Sequence, residues 1–244
     1  MKVTVYDNKS EVEAAAACQA AEGIKTAILS KGCANVILAA DTSQLDMINV
    51  LACVPEIDWS CVTVFGLSEF MGVDVTHPAS FRRHLTERFV ERVGNLKGTY
   101  FIKGDSEDPE AECRRMSDLI SKNPADVACV GIGENGHLAF NTPPADFTTD
   151  TPYVVVQLNQ ECREKQLGEN SFSDMESVPL QAISMSLKQI MKSRKIIAAV
   201  PEKRKAQAVR NTLKENISPE FPASILRSHP DCHLFVDKPA TALM

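Results

Sequence analysis

The 244-residue chain lacks most of the features that place a protein in a special class. It has no C-x-x-C pair. Cys18, Cys33, Cys53, Cys61, Cys113, Cys129, Cys162 and Cys232 are scattered, without the spacing of a zinc site or a disulfide framework. Cys129 lies in the apolar run 127–130, where a thiol behaves as a small hydrophobe. Tryptophan occurs once, at Trp59, a position expected at the edge of the core. No basic block is present, and 26 Lys+Arg stand against 32 Asp+Glu for a formal charge of −6, which argues against nucleic acid as the main partner. The longest uncharged apolar runs, 36–40 and 196–201, fall far short of the roughly 18–20 residues of a membrane span. The first residues lack the charged-then-apolar layout of a signal peptide, so a cytoplasmic protein is expected. No repeat, low-complexity tract or Pro/Gly-rich linker divides the chain, and one domain over residues 1–244 is expected.

What the chain does have is regular alternation. Short β-branched runs at 3–6, 35–40, 62–67, 127–132, 153–158, 182–185, 195–200 and 234–236 read as strands. Several are nearly continuous in apolar residues, as in strands buried on both faces of a parallel sheet. Helical stretches lie between them. Ser10-Glu-Val-Glu13 reads as a capping box opening an Ala-rich helix towards Gly32; Asp108-Pro109 opens another, and Ser186-Leu-Lys-Gln189 a short third. The order predicts an α/β fold, an open, doubly wound, mostly parallel sheet with helices on both faces. The polar stretch 161–178 reads as a loop or lid.

Ligands of such sheets bind beyond the carboxyl ends of the strands, so residues just after strands are the candidates. The most informative are 131–144, Gly-Ile-Gly-Glu-Asn-Gly-His-Leu-Ala-Phe-Asn-Thr-Pro-Pro. Gly131, Gly133 and Gly136 allow a sharp turn or a close backbone approach to a ligand. His137 can exchange a proton near neutral pH or serve only as a loop histidine. As a dinucleotide fingerprint the glycines are weak, because Asn141 and two prolines spoil a crossover helix.

G-I-G-E-N-G-H-L-A-F-N-x-P resembles the signature of the glucosamine-6-phosphate deaminase/isomerase family, G-x-G-x-D-G-H-x-A-F-N-E-P. Residues 65–72 (F-G-L-S-E-F-M-G) with 77–81 (H-P-A-S-F) resemble that family's L-D-E-Y-x-G-L…H-P-x-S-Y/F. Residues 223–230 with Phe235-Val-Asp237 are similar to its S-x-L-Q-x-H-P…V-D-x. The related 6-phosphogluconolactonases share the glycine-histidine core but continue T-A-S-L-F, where this chain has Leu138-Ala-Phe-Asn141. The resemblance implies a single α/β domain with a Rossmann-like sheet, acting on a small-molecule sugar phosphate without a cofactor or metal. No nucleic-acid or membrane partner is implied, and a homo-oligomer is left open.

The same resemblance implies roles. His137 takes the acid/base role in ring opening. Thr42, Ser43 and Lys205 fall at the phosphate-binding positions, and Asp41 falls where the family keeps glycine. Asp41 is expected to turn outward as a helix cap. Ser68 stands where the family has the aspartate that moves the C1–C2 proton, Asn135 where it has the carboxylate before Gly-His, and Thr142 where it has the glutamate of F-N-E-P. Serine is no base unaided. Glu69, Glu134 and Asp146 are the candidate substitutes, with a solvated surface as the alternative for each. His77, Arg82 and Arg83 fall in a segment flanking the family's site, and His229 falls in a motif where a structural role is expected. Three functions follow: an isomerase/deaminase of a hexosamine 6-phosphate, a 6-phosphogluconolactonase-type hydrolase, or a catalytically weak sugar-phosphate binding protein. The Ala-Phe-Asn continuation speaks against the second, and the missing carboxylates favour the third.

Overall fold

The computed structural model describes residues 1–168 and 172–244. In chain order the elements are β1 (Lys2–Tyr6), α1 (Lys9–Lys31), β2 (Ala34–Leu38), α2 (Leu45–Ala52), β3 (Val62–Gly66) and β4 (Ser68–Phe70). Then come α3 (Phe81–Leu85), a π-helical turn (Thr86–Val90), α4 (Glu91–Val93), β5 (Gly98–Tyr100), α5 (Pro109–Lys122) and β6 (Val127–Val130). The rest are β7 (Tyr153–Gln157), α6 (Gln160–Gly168), β8 (Gln181–Met185), α7 (Leu187–Met191), β9 (Lys195–Val200), α8 (Ala206–Lys214) and β10 (Cys232–Asp237).

Seven strands form a parallel sheet in the order β1-β10-β9-β6-β2-β3-β5. Side chains alternate between two cores. Val36, Leu38 and Val64 pack with Ala16, Ala20 and Ile48 on one face. Ile37, Phe65 and Val130 pack with Met116, Ile120 and Val209 on the other. Burial on both faces is why these strands read as unbroken apolar runs. The chain winds outward from β2 through β3 to β5, and from β6 through β9 to β10, which pairs with the N-terminal edge strand β1. The order therefore reverses between β2 and β6, which opens a crevice at their carboxyl ends.

Local chemistry explains the helices. The alanines of α1 let it lie close to the sheet, where a Cβ on Gly23 would come within 2.8 Å of Val127 Cγ2. Its cap is displaced from the expected one. Asn8, not Ser10, accepts from Glu11 N, and Glu11 returns the bond to Asp7 N. The boxed pair is thus Asn8 with Glu11, two residues earlier than the Ser10–Glu13 pattern. Asp108 and Ser186 cap α5 and α7.

The sheet prediction needs one correction. Residues 153–158 and 182–185 do form strands, but β7 and β8 pair antiparallel with β4 in a separate sheet of order β4-β8-β7. A buried apolar run does not reveal the direction of its neighbour. The small sheet is joined to the end of β3 by Tyr153, whose hydroxyl donates to Gly66 O at 2.8 Å. The 161–178 stretch is also not simply a loop. Its first part is α6, Phe172 packs edge-on to Phe70, and 169–171 lie outside the described residues. Trp59 meets Phe89 edge to face. No helix among the described residues is long and apolar enough to cross a membrane.

Candidate active site

A cavity of about 30 Å³ lies at the β2/β6 crevice. Asp41 and Ser43 line it from the loop after β2, Leu67 and Ser68 from the β3–β4 junction, and Phe81 from α3. Gly131, Ile132, Gly133 and His137 contribute from the loop after β6, with Ala139 and Phe140 beyond it. Lys205 enters from the turn after β9, and Cys162, Lys165 and Gln166 from α6. Those three residues are spaced i, i+3 and i+4, so α6 lays one face over the mouth.

His137 is set by its own loop. Gly133 N donates to His137 O at 2.9 Å, Gly136 N to Gly133 O at 3.0 Å, and Gly136 takes φ +85°. The imidazole lies on Gly133 so closely that a Cβ there would be 2.0 Å from Cε1. Asn135 Oδ1 accepts the His137 backbone N–H at 3.2 Å and Nδ1 at 2.6 Å. With Nδ1 protonated towards that oxygen, Nε2 keeps its lone pair. Burial, with Lys165 and Lys205 close by, pushes the imidazole down to about 3. At neutral pH it is an uncharged acceptor.

Lys205 is 2% exposed, and its Nζ donates to Ile132 O at 2.7 Å. Burial and the neighbouring Lys165 lower its ammonium to about 8. The turn that delivers it is strained: Glu202 has φ +84°, a region that favours glycine. Both oxygens of buried Asp237 hold the Glu202 N–H, at 3.1 and 3.0 Å. The Glu202 carboxylate meets Arg204 at 2.6 Å, and Arg204 meets Glu134 at 3.1 Å, which ties the Lys205 turn to the glycine loop.

Asp41 departs from expectation. Its side chain does not cap α2; Oδ1 accepts the Ser43 N–H at 3.1 Å and the Ser43 hydroxyl, at the cavity wall. The resulting arrangement is a neutral acid/base beside a cationic pole, with one carboxylate, Asp41, among the described residues lining the cavity.

Residues 7–234 match the family of glucosamine-6-phosphate isomerases/6-phosphogluconolactonase. The chain belongs to this family. Glucosamine-6-phosphate deaminase 1 of Bacillus subtilis (strain 168) is 36% identical over 184 residues, covering 75% of this chain and 74% of its own length. The glucosamine-6-phosphate deaminase of Thermoanaerobacter pseudethanolicus is 34% identical over 251 residues, covering 100% of this chain and 95% of its own. Among solved structures, a monomeric glucosamine-6-phosphate deaminase matches with TM-score 0.89 and 30% identity over 100% of both chains. A 6-phosphogluconolactonase from Shewanella baltica OS155, 20% identical with TM-score 0.78 over 97% of each chain, shares the fold.

Within this family frame, several expected site residues lie elsewhere. Glu69 does not reach the cavity. It is 1% exposed, and it accepts Ser80 Oγ and the backbone N–H groups of Phe70, Phe81 and Arg82, anchoring the start of α3. Burial pushes its carboxyl up to about 7. Adjacent Ser68 does face the cavity, because neighbours on a strand point to opposite sides. Glu134 is exposed against Arg204, beside a second cavity of about 100 Å³ shared with Asn135 and His137. Thr142 and Asp146 line a separate groove of about 410 Å³, and Asp146 closes a turn with Thr148. Thr42 is exposed, and only Ser43 of that pair reaches the cavity. Gly136 shapes the turn without lining it.

The flanking residues have structural partners. His77 accepts Ala79 N, Arg82 pairs with Asp105, and Arg83 pairs with Glu87. Buried His229 bonds Ser193 O at 2.8 Å, at the far end of the sheet. Sequence reasoning missed Cys162, Lys165 and Gln166. Their i, i+3, i+4 spacing was the available signal.

Proposed function

We propose that the chain acts on a hexosamine 6-phosphate as an isomerase/deaminase of the glucosamine-6-phosphate deaminase type. The single observation that carries the reading is the His137–Asn135 pair beside Lys205 at the strand-order reversal. The relatives named glucosamine-6-phosphate deaminase, at 34–36% identity, support it. Lys205, Lys165 and Ser43 form the pole that takes the phosphate. Uncharged His137 takes the anomeric hydroxyl proton at Nε2 and returns it to the ring oxygen, while Asn135 holds Nδ1–H. The C1–C2 proton shift has no carboxylate at Ser68, so turnover is slow. Small-molecule sites usually span about 300–1,000 Å³. The cavity of about 30 Å³ is narrow by comparison, with Cys162, Lys165 and Gln166 of α6 among its walls.

A lactonase reading is second. It needs only one base to activate water, and His137 without a second acid at Ser68 suits that demand. The test is to offer glucosamine 6-phosphate and 6-phosphogluconolactone in parallel, following ammonia release and acid release. Ammonia with fructose 6-phosphate supports the first reading. Acid release alone replaces it with the second, and binding without either product leaves a sugar-phosphate binding protein.

A further inference from the structure

The loop after β2 contains its own anion. Asp41 Oδ1 accepts both the Ser43 N–H, at 3.1 Å, and the Ser43 hydroxyl. These are the donors that the loop would offer to an incoming phosphate, and both residues line the cavity. Asp41 is faced by His137 from the loop after β6, by Lys205 from the turn after β9 and by Lys165 from α6. The Arg204–Glu134 pair stands behind Lys205, and His84 of α3 contacts Ala40 O next to Asp41. Two of the cavity's groups are thus lysine side chains, and a carboxylate already holds the Ser43 donors.

We propose that Asp41 is a specificity-determining residue whose carboxylate occupies the place of a ligand phosphate, so that the site admits the phosphate monoanion, its P–OH donating to Asp41, in preference to the dianion. The proposal rests on the sugar-phosphate reading of the site. A dianion brings two charges against the carboxylate and no hydrogen to share with it. A monoanion halves the repulsion and supplies the donor. Phosphate monoesters lose their second proton near pH 6, about where the two forms exchange. His137, at about 3, and Lys205, at about 8, titrate outside pH 5–7. Glu69, at about 7, titrates in that window but is common to every chain compared, so the part of a trend that Asp41→Asn removes follows the ligand proton.

The experiment is titration calorimetry on the full chain with glucosamine 6-phosphate at pH 5, 6 and 7, with unphosphorylated glucosamine as the reference. The parent, Asp41→Gly, Asp41→Asn and Lys205→Ala are compared. The parent should lose about tenfold in affinity from pH 5 to 7, scaled from one unit of like-charge repulsion screened by two lysines. Asp41→Gly should bind at least about tenfold more tightly than the parent at pH 7, with the trend flat or reversed. Asp41→Asn, which keeps an oxygen for Ser43 but no charge, should lose the trend as well. If Asp41→Gly does not fold, Asp41→Asn decides alone. Parent affinity that is constant or rises from pH 5 to 7 overturns the proposal. So do Asp41 variants within about twofold of the parent at pH 7. A Lys205→Ala chain that binds like the parent, or no binding of the sugar phosphate by any chain, overturns the sugar-phosphate reading and the proposal with it.

Discussion

Replacing Gly133 with alanine should disable the site while leaving the chain folded. A Cβ on Gly133 would stand 2.0 Å from His137 Cε1, 2.2 Å from Nδ1 and 2.3 Å from Nε2. Carbon contacts are ordinarily about 3.5 Å or longer, so the ring must retreat by about 1.5 Å. That retreat breaks the 2.6 Å bond from Nδ1 to Asn135. A misplacement of about 1 Å can already cost about 10²-fold, and loss of a positioned acid/base costs about 10²–10⁴-fold. The expected fall in kcat/KM is therefore about 10²–10³-fold. Stability should suffer less. Gly133 is not among the positive-φ glycines, so alanine suits its backbone. Overpacking of about 1–3 kcal/mol is partly offset by the stiffer unfolded chain, leaving about 1–2 kcal/mol. Gly131→Ala meets the flexible end of Gln44 at 2.7 Å and should be milder. The assay is the parent's own turnover, ammonia or acid release, with a thermal melt alongside. A folded Gly133→Ala chain within about threefold of the parent rate refutes the reasoning.

Ser68→Asp should raise ammonia release from glucosamine 6-phosphate at least about tenfold; an unchanged rate would place Ser68 away from the C1–C2 bond. Thr142→Glu, in the separate groove, should add nothing measurable in the same assay. Glu69 holds its proton more tightly in the folded chain, so its contribution is full below about pH 4.5 and is lost as pH rises through about 7. The stability of the parent relative to Glu69→Gln should thus fall by up to about 3 kcal/mol across that window, measured by urea midpoints; parallel curves would sink the assignment. Phosphate binding requires the Lys205 ammonium, which burial lowers to about 8. Affinity for the sugar phosphate should decline by about tenfold per pH unit above that value, and a flat titration to pH 10 would remove Lys205 from the site.

The main sheet was legible because its strands are buried on both faces, as the runs at Val36–Leu38 and Ile196–Val200 show. The direction of β7 and β8 was not, since pairing partners leave no trace in a strand's own apolar pattern. β4 and β5 are three residues each, too short to show any period. The histidine loop was readable from its glycines, and the structure gives the two reasons: Gly131 makes room for Gln44, and Gly133 for the His137 ring. Charge type misled at Glu69. A lone carboxylate reads as solvated, but one donor from β4 and three at the start of α3 give it a buried place. Asp41 misled in the opposite sense, because turn chemistry with Ser43 held it at the cavity wall. Lys165 was hidden by a segment whose polarity suggested a loop.

The small antiparallel sheet has a further consequence. Its central strand, β8, holds β4 with Ser68 on one side and β7, which leads into α6, on the other. From β8, Ser184 Oγ takes the Phe140 N–H at 3.1 Å, and Met185 O takes Asn141 Nδ2 at 2.9 Å, which pins the end of the histidine loop. One five-residue strand therefore helps set the relative placement of three walls of the cavity. A slip of β8 by one residue would turn its side chains over and displace all three walls together. Residue types at Ser68, Asn135 and Asp41 can be exchanged on this frame one at a time, whereas the register of β8 can change only as a whole. In mutational terms, the site's geometry depends on a strand that lines none of it.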